Sequence, residues 1–359
     1  MSESLQSSAP ALYVDKDGNP KVLRNVPVPE LVDGEVVVKV LYSGVNPADI
    51  KHGALLGVRP AVMGYDFCGR VAQAPPGSRF EVGDLVAGFT PTGVGRPLKY
   101  GAHQEFLSCP EGLAYKVPAN LPPTHAASLT TVVSTAADGL YTAFGLPLPG
   151  EKPAAGAGSG PGPLLIWGAS TSVGMSMLQL ARASGASPIF VTASPKRHEL
   201  LKRLGATHCF DYGAPDVVSR IRAAVAEAKA GPIAYAADCA GTEGEGNSAA
   251  LTESCVDGGV TVLSVVVHPG KPYKFPMPMA DVPFTFQLPN GVVLPFPVRP
   301  EAGGRIKKAL MWAVDKYGAE FELPEVEVFK GSAEGALERL REVSKQGKFG
   351  KLVVAQPME

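Results

Sequence analysis

The stretch LLIWGASTSVGMSMLQLAR, residues 164–182, carries the strongest structural signal in this sequence. An apolar run, a short turn bracketed by Gly168 and Gly174, and an amphipathic continuation follow one another directly. This order predicts a buried strand, a tight turn and a helix. A helix that begins at such a turn offers unsatisfied N–H groups to a pyrophosphate, as in dinucleotide-binding folds. An ordinary turn between strand and helix is the alternative interpretation.

Downstream of this helix the alternation continues. SPIFVTA, HCFDY, IAYAADC and VTVLSVVV (residues 260–267) are typical of strands, and PKRHELLKRLG is typical of a helix. Strands separated by helical periods predict a parallel, doubly wound α/β sheet. Residues 268–300 contain nine prolines, which predicts a loop that does not pair edge to edge with a second subunit, and hence a monomer.

Upstream, the first 120 or so residues contain short β runs, such as EVVVKVLYSGV and LVAGFT, between Gly and Pro turns. This pattern predicts an all-β, barrel-like module. The stretch from Pro147 to Pro163 has the composition of a linker. The last segment, two helical stretches and the strand KLVVA, is too small for a core of its own and is predicted to return to the first module. We therefore expect domains at 1–130 and 131–300, with 301–359 rejoining the first.

Composition excludes several function classes. The 359 residues carry a formal net charge of −1 without a block of like charges, which argues against a nucleic-acid partner. No segment reaches about 18 uninterrupted apolar residues and the polar start MSESLQSSAP does not resemble a signal peptide, so no membrane association and a cytoplasmic location are expected. The five cysteines form no CxxC pair, and no set of ligands for zinc is visible, so no metal is expected.

The strand that ends in VTASPKRHE predicts the choice of cofactor. Folds that prefer NAD place an acid there, whereas this chain has Ser194, Lys196 and Arg197. A hydroxyl and two cations suit the 2′-phosphate of NADPH, and Tyr212 could stack or bond nearby. A solvated first helical turn is the alternative, although cations at a helix N-terminus are unfavourable unless they meet an anion.

The stretch YSGVNPADIKHG, residues 42–53, contains the candidate for catalysis. The ammonium group of Lys51 can polarise a thioester carbonyl, stabilise an enolate or relay a proton. The alternative is a surface lysine without a catalytic role. In MGYDFCGRV, Asp66 is interpreted as a residue that holds the turn through backbone hydrogen bonds.

Together, GVNPADIKHG, MGYDFCGRV, EVGDLVAG, GASTSVG and TASPKRHELLKRLGA resemble the medium-chain dehydrogenase/reductase superfamily over nearly the whole chain. Asn46 and Tyr65 stand where the zinc enzymes of that superfamily carry metal ligands, so the chain looks like the zinc-free, quinone-reductase-like branch. NPADIKHG, STAADGLY and the ending GKLVV are similar to fungal lovastatin-type trans-acting enoyl reductases. The resemblance implies a GroES-like β-barrel catalytic domain and a Rossmann domain that binds NADPH.

The resemblance also implies site residues and a function. Residues implied to contact NADPH are Ala48, Asp49, Ile50, Lys51, Ser170, Thr171, Ser172, Val173, Ser194, Pro195, Lys196, Arg197, Tyr212, Ser264, Lys351 and Leu352. Thr135, Phe284, Thr285 and Phe286 are implied to face the substrate. The implied reaction is NADPH-dependent reduction of the α,β-double bond of a polyketide thioester held on an acyl carrier domain of a polyketide synthase or a synthase-peptide synthetase hybrid. A free-standing NADPH quinone or enal reductase, and a non-redox member that cyclises a polyketide, are the alternatives.

Overall fold

The computed structural model describes Ser7 and residues 9–151, 160–346 and 349–359. Part of the predicted linker between Pro147 and Pro163 lies outside the described residues. The chain forms two compact units. Unit 1 comprises Met1–Thr131, Met279–Val298 and Pro324–Glu359, and unit 2 comprises Val132–Pro278 and Arg299–Leu323.

Strands and helices are numbered in chain order within the described residues. The strands are β1 Ala11–Val14, β2 Pro20–Leu23, β3 Glu35–Gly44, β4 Ala61–Val62, β5 Asp66–Gln73, β6 Leu85–Phe89, β7 Phe106–Pro110, β8 Ala114–Lys116, β9 Leu164–Trp167, β10 Ile189–Thr192, β11 His208–Phe210, β12 Tyr235–Asp238, β13 Val262–Ser264, β14 Phe284–Gln287, β15 Val293–Phe296, β16 Val326–Phe329 and β17 Lys351–Ala355. The α-helices are α1 Ala48–Leu55, α2 Pro123–Ala137, α3 Ser172–Ala183, α4 His198–Leu204, α5 Val217–Ala228, α6 Ser248–Ser254, α7 Pro300–Asp315 and α8 Ala333–Gln346.

Unit 1 is built around one large sheet. Its strands lie in the order β16-β17-β3-β5-β6-β8, with β7 paired to β3, and a smaller sheet has the order β2-β1-β4. The long strand β3 pairs with β5, β7 and β17, and register shifts after Val37 and Val40 bend it. Helix α8 packs Leu337 and Leu340 against Leu12, Met63 and Val354. The predicted GroES-like, β-rich module is confirmed.

Unit 2 contains the predicted doubly wound sheet. Its five strands are parallel in the order β11-β10-β9-β12-β13, with β9 in the centre. All four residues of β9 and of β10 are buried, as expected for strands covered on both faces. The carboxyl ends of these strands lie along one edge of the sheet, and that edge holds ligands in folds of this kind. The predicted Rossmann fold is confirmed.

The proline-rich stretch 268–300 is not wholly loop-like, so that prediction is wrong for two segments. β14 and β15 form an antiparallel hairpin with Phe286 opposite Leu294. Two further backbone bonds hold it in unit 1, because Val94 N donates to Thr285 O at 2.9 Å and Gln287 N donates to Leu56 O at 3.0 Å. Proline is compatible with an edge strand, which explains why the composition was misleading. The strand predicted over residues 260–267 is shorter, spanning Val262–Ser264 only.

The compact units also differ from the predicted domain ranges 131–300 and 301–359. The hairpin belongs to unit 1, whereas α7 belongs to unit 2. Helix α7 packs against a π-helical segment, Asp138–Ala143, that continues α2. Its Arg305 donates to the carbonyls of Tyr141 at 3.1 Å and Leu146 at 2.6 Å. The chain therefore passes from one unit to the other four times, whereas the predicted domain ranges require two passages.

Candidate functional site

In unit 2, the turn between β9 and α3 has the geometry of an anion site. Gly168 has a φ of 77°, a conformation that favours glycine. A Cβ on Gly174 would lie 2.5 Å from the Gly168 carbonyl oxygen, so only glycine fits there. The Thr171 side chain caps α3 by accepting from Gly174 N at 3.0 Å, and its hydroxyl donates to the Cys239 carbonyl at 3.1 Å. Because that hydroxyl donates within the protein, backbone N–H groups are the donors expected to meet a phosphate here.

The end of β10 leads into a short polar segment. Pro195–Arg197 form a 3-10 turn after Ser194, and the Ser194 hydroxyl lies 3.3 Å from the Tyr212 hydroxyl. Tyr212 is 52% exposed, so its ring is available to a ligand. The segment has no carboxylate, and it carries two cations directly after the strand. This chemistry suits an adenosine ribose that carries a 2′-phosphate better than a free 2′-hydroxyl.

A buried carboxylate organises the ends of β12 and β13. Asp238 Oδ1 accepts from Ala240 N at 3.0 Å and from Gly241 N at 3.1 Å, and Oδ2 accepts from the Ser264 hydroxyl at 2.9 Å. His268 Nε2 lies 3.2 Å from the same hydroxyl. Asp238 and His268 were not singled out in the sequence. The clue was available, since Asp238 closes a predicted strand and precedes a Cys-Ala-Gly turn.

In unit 1, a buried polar network fixes the entry into α1. Lys351 Nζ donates to Val45 O at 2.8 Å and to Asn46 Oδ1 at 2.7 Å. The Asn46 amide donates to Asp66 Oδ2 at 2.9 Å, and Asp66 Oδ1 accepts from the N–H and hydroxyl of Thr131 at 2.8 and 2.6 Å. Burial lowers the pKa of Lys351 and raises the pKa of Asp66, and the charge of each opposes the shift of the other. Asp66 therefore has a structural role, but it holds Asn46 and Thr131, which is 65 positions further along the chain, and not its own turn as the sequence predicted.

A second buried pair lies at the start of α1. Asp49 Oδ2 accepts from Asn46 N at 2.8 Å and lies 3.1 Å from His103 Nε2, while His103 Nδ1 lies 2.8 Å from Ser43 Oγ. Asp49 Oδ1 is buried and has no hydrogen-bond partner among the described residues. An unpaired buried carboxylate oxygen is costly, so this oxygen is a candidate acceptor for a ligand or a water molecule.

The next two residues of α1 have different surroundings. Lys51 is half-buried. His52 contacts the rings of Tyr65 and Phe286, with centroid distances of 5.4 and 5.0 Å, and its Nδ1 lies 2.8 Å from the Tyr65 hydroxyl. That hydroxyl also lies 3.1 Å from Thr92 Oγ1. Burial lowers the pKa of His52 to about 4, so the imidazole is neutral at neutral pH.

An open cleft of about 700 Å³ lies next to this group, entirely within unit 1. Its lining is largely apolar and includes Pro91, Thr92, Val94, Phe284, Thr285 and Phe296. The rings of Phe284 and Phe296 are stacked with centroids 4.8 Å apart. A cleft of this size and composition fits an acyl chain.

The structure groups the candidates for cofactor contact into two sets. At the carboxyl edge of the unit 2 sheet lie Ser170, Thr171, Ser172, Val173, Ser194, Pro195, Lys196, Arg197, Tyr212 and Ser264. Unit 1 brings Ala48, Asp49, Ile50 and Lys51 on α1 next to Lys351 and Leu352 on β17. Phe284 and Thr285 line the cleft, whereas Phe286 is buried against His52. Thr135 lies in the part of α2 that belongs to unit 2.

Two further features concern metals and membranes. Among the residues that the structure describes, no three His, Cys, Asp or Glu side chains are grouped so that they could hold a metal ion. Within the same part of the chain, every helix is too short or too polar to cross a bilayer.

Comparison with known proteins agrees with this architecture. The family model of the alcohol dehydrogenase GroES-like domain matches residues 32–119, and that of the zinc-binding dehydrogenase matches residues 172–284. The solved structure of CurK enoyl reductase superposes with a TM-score of 0.70 at 17% identity, over 98% of this chain and 100% of that one. A structure of mycobacterial Rv1454c complexed with NADPH gives a TM-score of 0.65 at 20% identity, over 97% and 100% of the two chains.

Sequence relatives include proteins named trans-enoyl reductases. The trans-enoyl reductase resD of Aspergillus sclerotiorum is 34% identical over 224 residues, which are 59% of this chain and 62% of that protein. The match thus spans less than two thirds of the relative's length. With both family models matched in the expected order on the expected fold, the chain belongs to the medium-chain dehydrogenase/reductase superfamily.

Proposed function

We propose that this protein is a trans-acting enoyl reductase. In this proposal it uses NADPH to reduce the α,β-double bond of an acyl chain that a polyketide synthase, or a synthase-peptide synthetase hybrid, presents as a thioester on its carrier domain. The observation that carries the proposal is the combination, in one chain, of a dinucleotide turn with 2′-phosphate chemistry and an apolar cleft next to α1. Similarity to a protein named trans-enoyl reductase supports the substrate class. We further propose that the protein acts as a cytoplasmic monomer.

The residues at the sheet edge of unit 2 fit NADPH. The turn Ser170–Val173 at the N-terminus of α3 suits the pyrophosphate, with the Thr171 N–H already donating to Gly168 O at 3.0 Å, and Ser194–Arg197 with Tyr212 suit the 2′-phosphate. Bound NADPH supplies the hydride. In unit 1 the unpaired Asp49 Oδ1 offers an acceptor for a donor group of the cofactor. Lys351 contributes by fixing the start of α1, because its ammonium group is already bonded to Val45 and Asn46.

Lys51 is assigned to the thioester. Conversion of an enoyl thioester to its enolate places negative charge on the carbonyl oxygen, and a nearby ammonium group stabilises that charge. Lys51 stands on α1, directly before His52, which in turn contacts Phe286 of the hairpin that borders the cleft. This neighbourhood supports a role for Lys51 beside the reacting end of the acyl chain.

The apolar cleft is assigned to the acyl chain. Phe284 and Phe296 form an aromatic wall, and Thr92 contributes a hydroxyl to the same lining. Burying each methylene in such a site contributes about 0.8 kcal/mol. We therefore propose that medium-length apolar chains bind more tightly than two- to four-carbon chains.

Docking of the carrier domain is expected to use cations of unit 1, because carrier domains are acidic. The basic residues that the sequence offers for docking are Lys21, Arg24, Lys51 and Arg59. Of these, Lys21 pairs with Asp15 at 3.2 Å and Arg24 pairs with Glu334 at 3.0 Å. Arg59 donates to the Gly53 carbonyl at 3.2 Å. Charge reversal of Arg24, whose side chain is 61% exposed, should slow reduction of a carrier-bound enoyl chain and leave a pantetheine thioester unaffected.

The test is NADPH oxidation with crotonyl and longer enoyl pantetheine thioesters. We expect oxidation by the wild type and its loss in Lys51→Ala, with NADPH binding retained. The matched control is Lys16→Ala, since Lys16 is an exposed lysine in the turn between β1 and β2. Tight NADPH binding without oxidation by any enoyl thioester would contradict the proposal, and turnover of small quinones would redirect it to a free-standing reductase.

A further inference from the structure

A continuous chain of three side chains leads from α1 to the apolar cleft. His52 Nδ1 lies 2.8 Å from the Tyr65 hydroxyl, and this hydroxyl lies 3.1 Å from Thr92 Oγ1. Thr92 lines the cleft. We propose that His52, Tyr65 and Thr92 form a proton relay that delivers the proton to the α-carbon of the substrate. The inference rests on the proposed function and assigns the proton donor at that same site.

The chemistry of the three groups suits a relay. Each hydroxyl both donates and accepts, and an imidazole takes up a proton at one nitrogen while releasing one from the other. Both distances are within hydrogen-bond range. Tyr65 is 6% exposed, so its hydroxyl is held between these two partners and is screened from bulk water.

The electrostatic surroundings keep the resting chain neutral. Burial raises the pKa of Tyr65 and lowers the pKa of His52, so the phenol stays protonated and the imidazole stays uncharged at neutral pH. The guanidinium group of Arg96 lies over the Tyr65 ring, 4.5 Å from its centroid. Arg96 is fixed there by donating to Gly64 O at 2.7 Å and to Thr90 Oγ1 at 2.7 Å. This cation stabilises negative charge that develops on the phenol oxygen during transfer.

The proton transfer balances without leaving a charge on the chain. Hydride addition at the β-carbon moves the electron pair of the double bond into the thioester and gives an enolate. The enolate α-carbon takes the Thr92 hydroxyl proton, Thr92 takes the proton of Tyr65, and Tyr65 takes the Nδ1 proton of His52. His52 takes up a solvent proton at Nε2, so it changes tautomer and remains neutral. The substrate gains one hydride and one proton.

Tyr65→Phe tests the relay because it removes the link and keeps the ring under Arg96. Tyr317→Phe is the matched control, because Tyr317 is as buried as Tyr65 and has a bonded hydroxyl, which donates to Leu323 O, but it lies in unit 2 and does not line the cleft. In Tyr65→Phe we expect kcat to fall by about a hundredfold, the size of effect typical of a lost general acid. We also expect deuterium from D₂O to enter both faces of the α-carbon, whereas the wild type and Tyr317→Phe deuterate one face.

A measurement on the protein without cofactor tests the contact between His52 and Tyr65 itself. The imidazole ¹⁵N signals of His52 should shift in Tyr65→Phe and remain in place in Tyr317→Phe. Thr92→Val is a second variant, at the end of the relay that faces the cleft. We expect it to show the same kinetic and stereochemical effects, so it tests the relay even if Tyr65→Phe does not fold.

The outcomes separate the two proposals. A Tyr65→Phe or Thr92→Val enzyme with wild-type kcat and one-face deuteration would overturn the relay while leaving enoyl reduction intact. A wild type that oxidises no NADPH with any enoyl thioester would overturn both proposals. Loss of kcat together with scrambled deuteration would support the relay.

Discussion

Removing the buried ammonium group of Lys351 should loosen unit 1. Lys351→Met keeps most of the stem but deletes two hydrogen bonds, to Val45 O and to Asn46 Oδ1. It also leaves the buried Asp66 carboxylate without the cation that lowers its pKa. Hydrogen bonds of a charged group contribute about 1.5 to 3 kcal/mol each, so the loss of both gives about 3 to 6 kcal/mol. Leaving a buried carboxylate without its nearby cation costs about 3 to 5 kcal/mol, so the two estimates overlap at about 3 to 5 kcal/mol.

Amide hydrogen exchange is the assay that resolves this loss. Both tryptophans, Trp167 and Trp312, lie in unit 2, so their fluorescence reports on the other unit. Exchange of the backbone amides of β17 and β3 reports on unit 1 directly. Since each 1.4 kcal/mol is a factor of ten, protection should fall between about a hundredfold and a few thousandfold.

Two comparisons test the reasoning behind that magnitude. Lys345→Met removes an exposed lysine at the end of α8 and should leave protection unchanged. Lys351→Met combined with Asp66→Asn should cost less than the sum of the single changes, because no unpaired charge remains buried. Protection of β17 in Lys351→Met within about threefold of the wild type would refute the view that this ammonium group holds the network together.

Three further predictions concern the cofactor site and pH. Gly174→Ala places a Cβ 2.5 Å from the Gly168 carbonyl oxygen, so calorimetry should show at least about tenfold weaker NADPH binding, and unchanged affinity would contradict the assigned turn. Arg197→Glu should weaken the binding of NADPH by about 10- to 100-fold, the size expected for one charge-assisted contact, and should change the binding of NADH little. Equal losses of affinity for both cofactors would argue against a role of Arg197 at the 2′-phosphate. The pKa of His52 falls from 6.5 unfolded to about 4 folded, so the unfolded chain binds the extra proton first and the free energy of unfolding drops by up to about 3 kcal/mol from pH 6.5 to 4. His52→Gln should reduce the pH dependence of the free energy of unfolding between pH 6.5 and 4. An unchanged dependence would show that it comes from other titratable groups.

Local patterns were sufficient for much of the fold. The run LLIWG, the glycines at 168 and 174, and the alternation that follows predict β9, α3 and the parallel sheet, because these signals depend on neighbours in the chain. The β14 and β15 hairpin was missed because nine prolines masked two short edge strands. Its place in unit 1 depends on backbone bonds from Val94 and to Leu56, which no local pattern contains.

The candidate site shows the same limit. Lys51, His52 and Tyr65 stand in stretches that the sequence singles out, but the bond between His52 and Tyr65 and its continuation to Thr92 depend on how α1, β5 and β6 meet. Lys351 and Asn46 are separated by 305 positions. The sequence GKLVV therefore gives no sign that the Lys351 ammonium group is buried and bonded to Asn46, just before α1. The partners of such polar side chains are determined by tertiary contacts, whereas sequence periodicity predicts only the helices and strands on which the side chains stand.

Enoyl reduction by this protein is tested most directly by NADPH consumption with an enoyl chain attached to the carrier domain of a polyketide synthase. We expect stoichiometric oxidation of NADPH, a product two mass units heavier, and loss of both in Lys51→Ala with NADPH binding retained. Tight NADPH binding with an unchanged acyl mass on every enoyl carrier would contradict it.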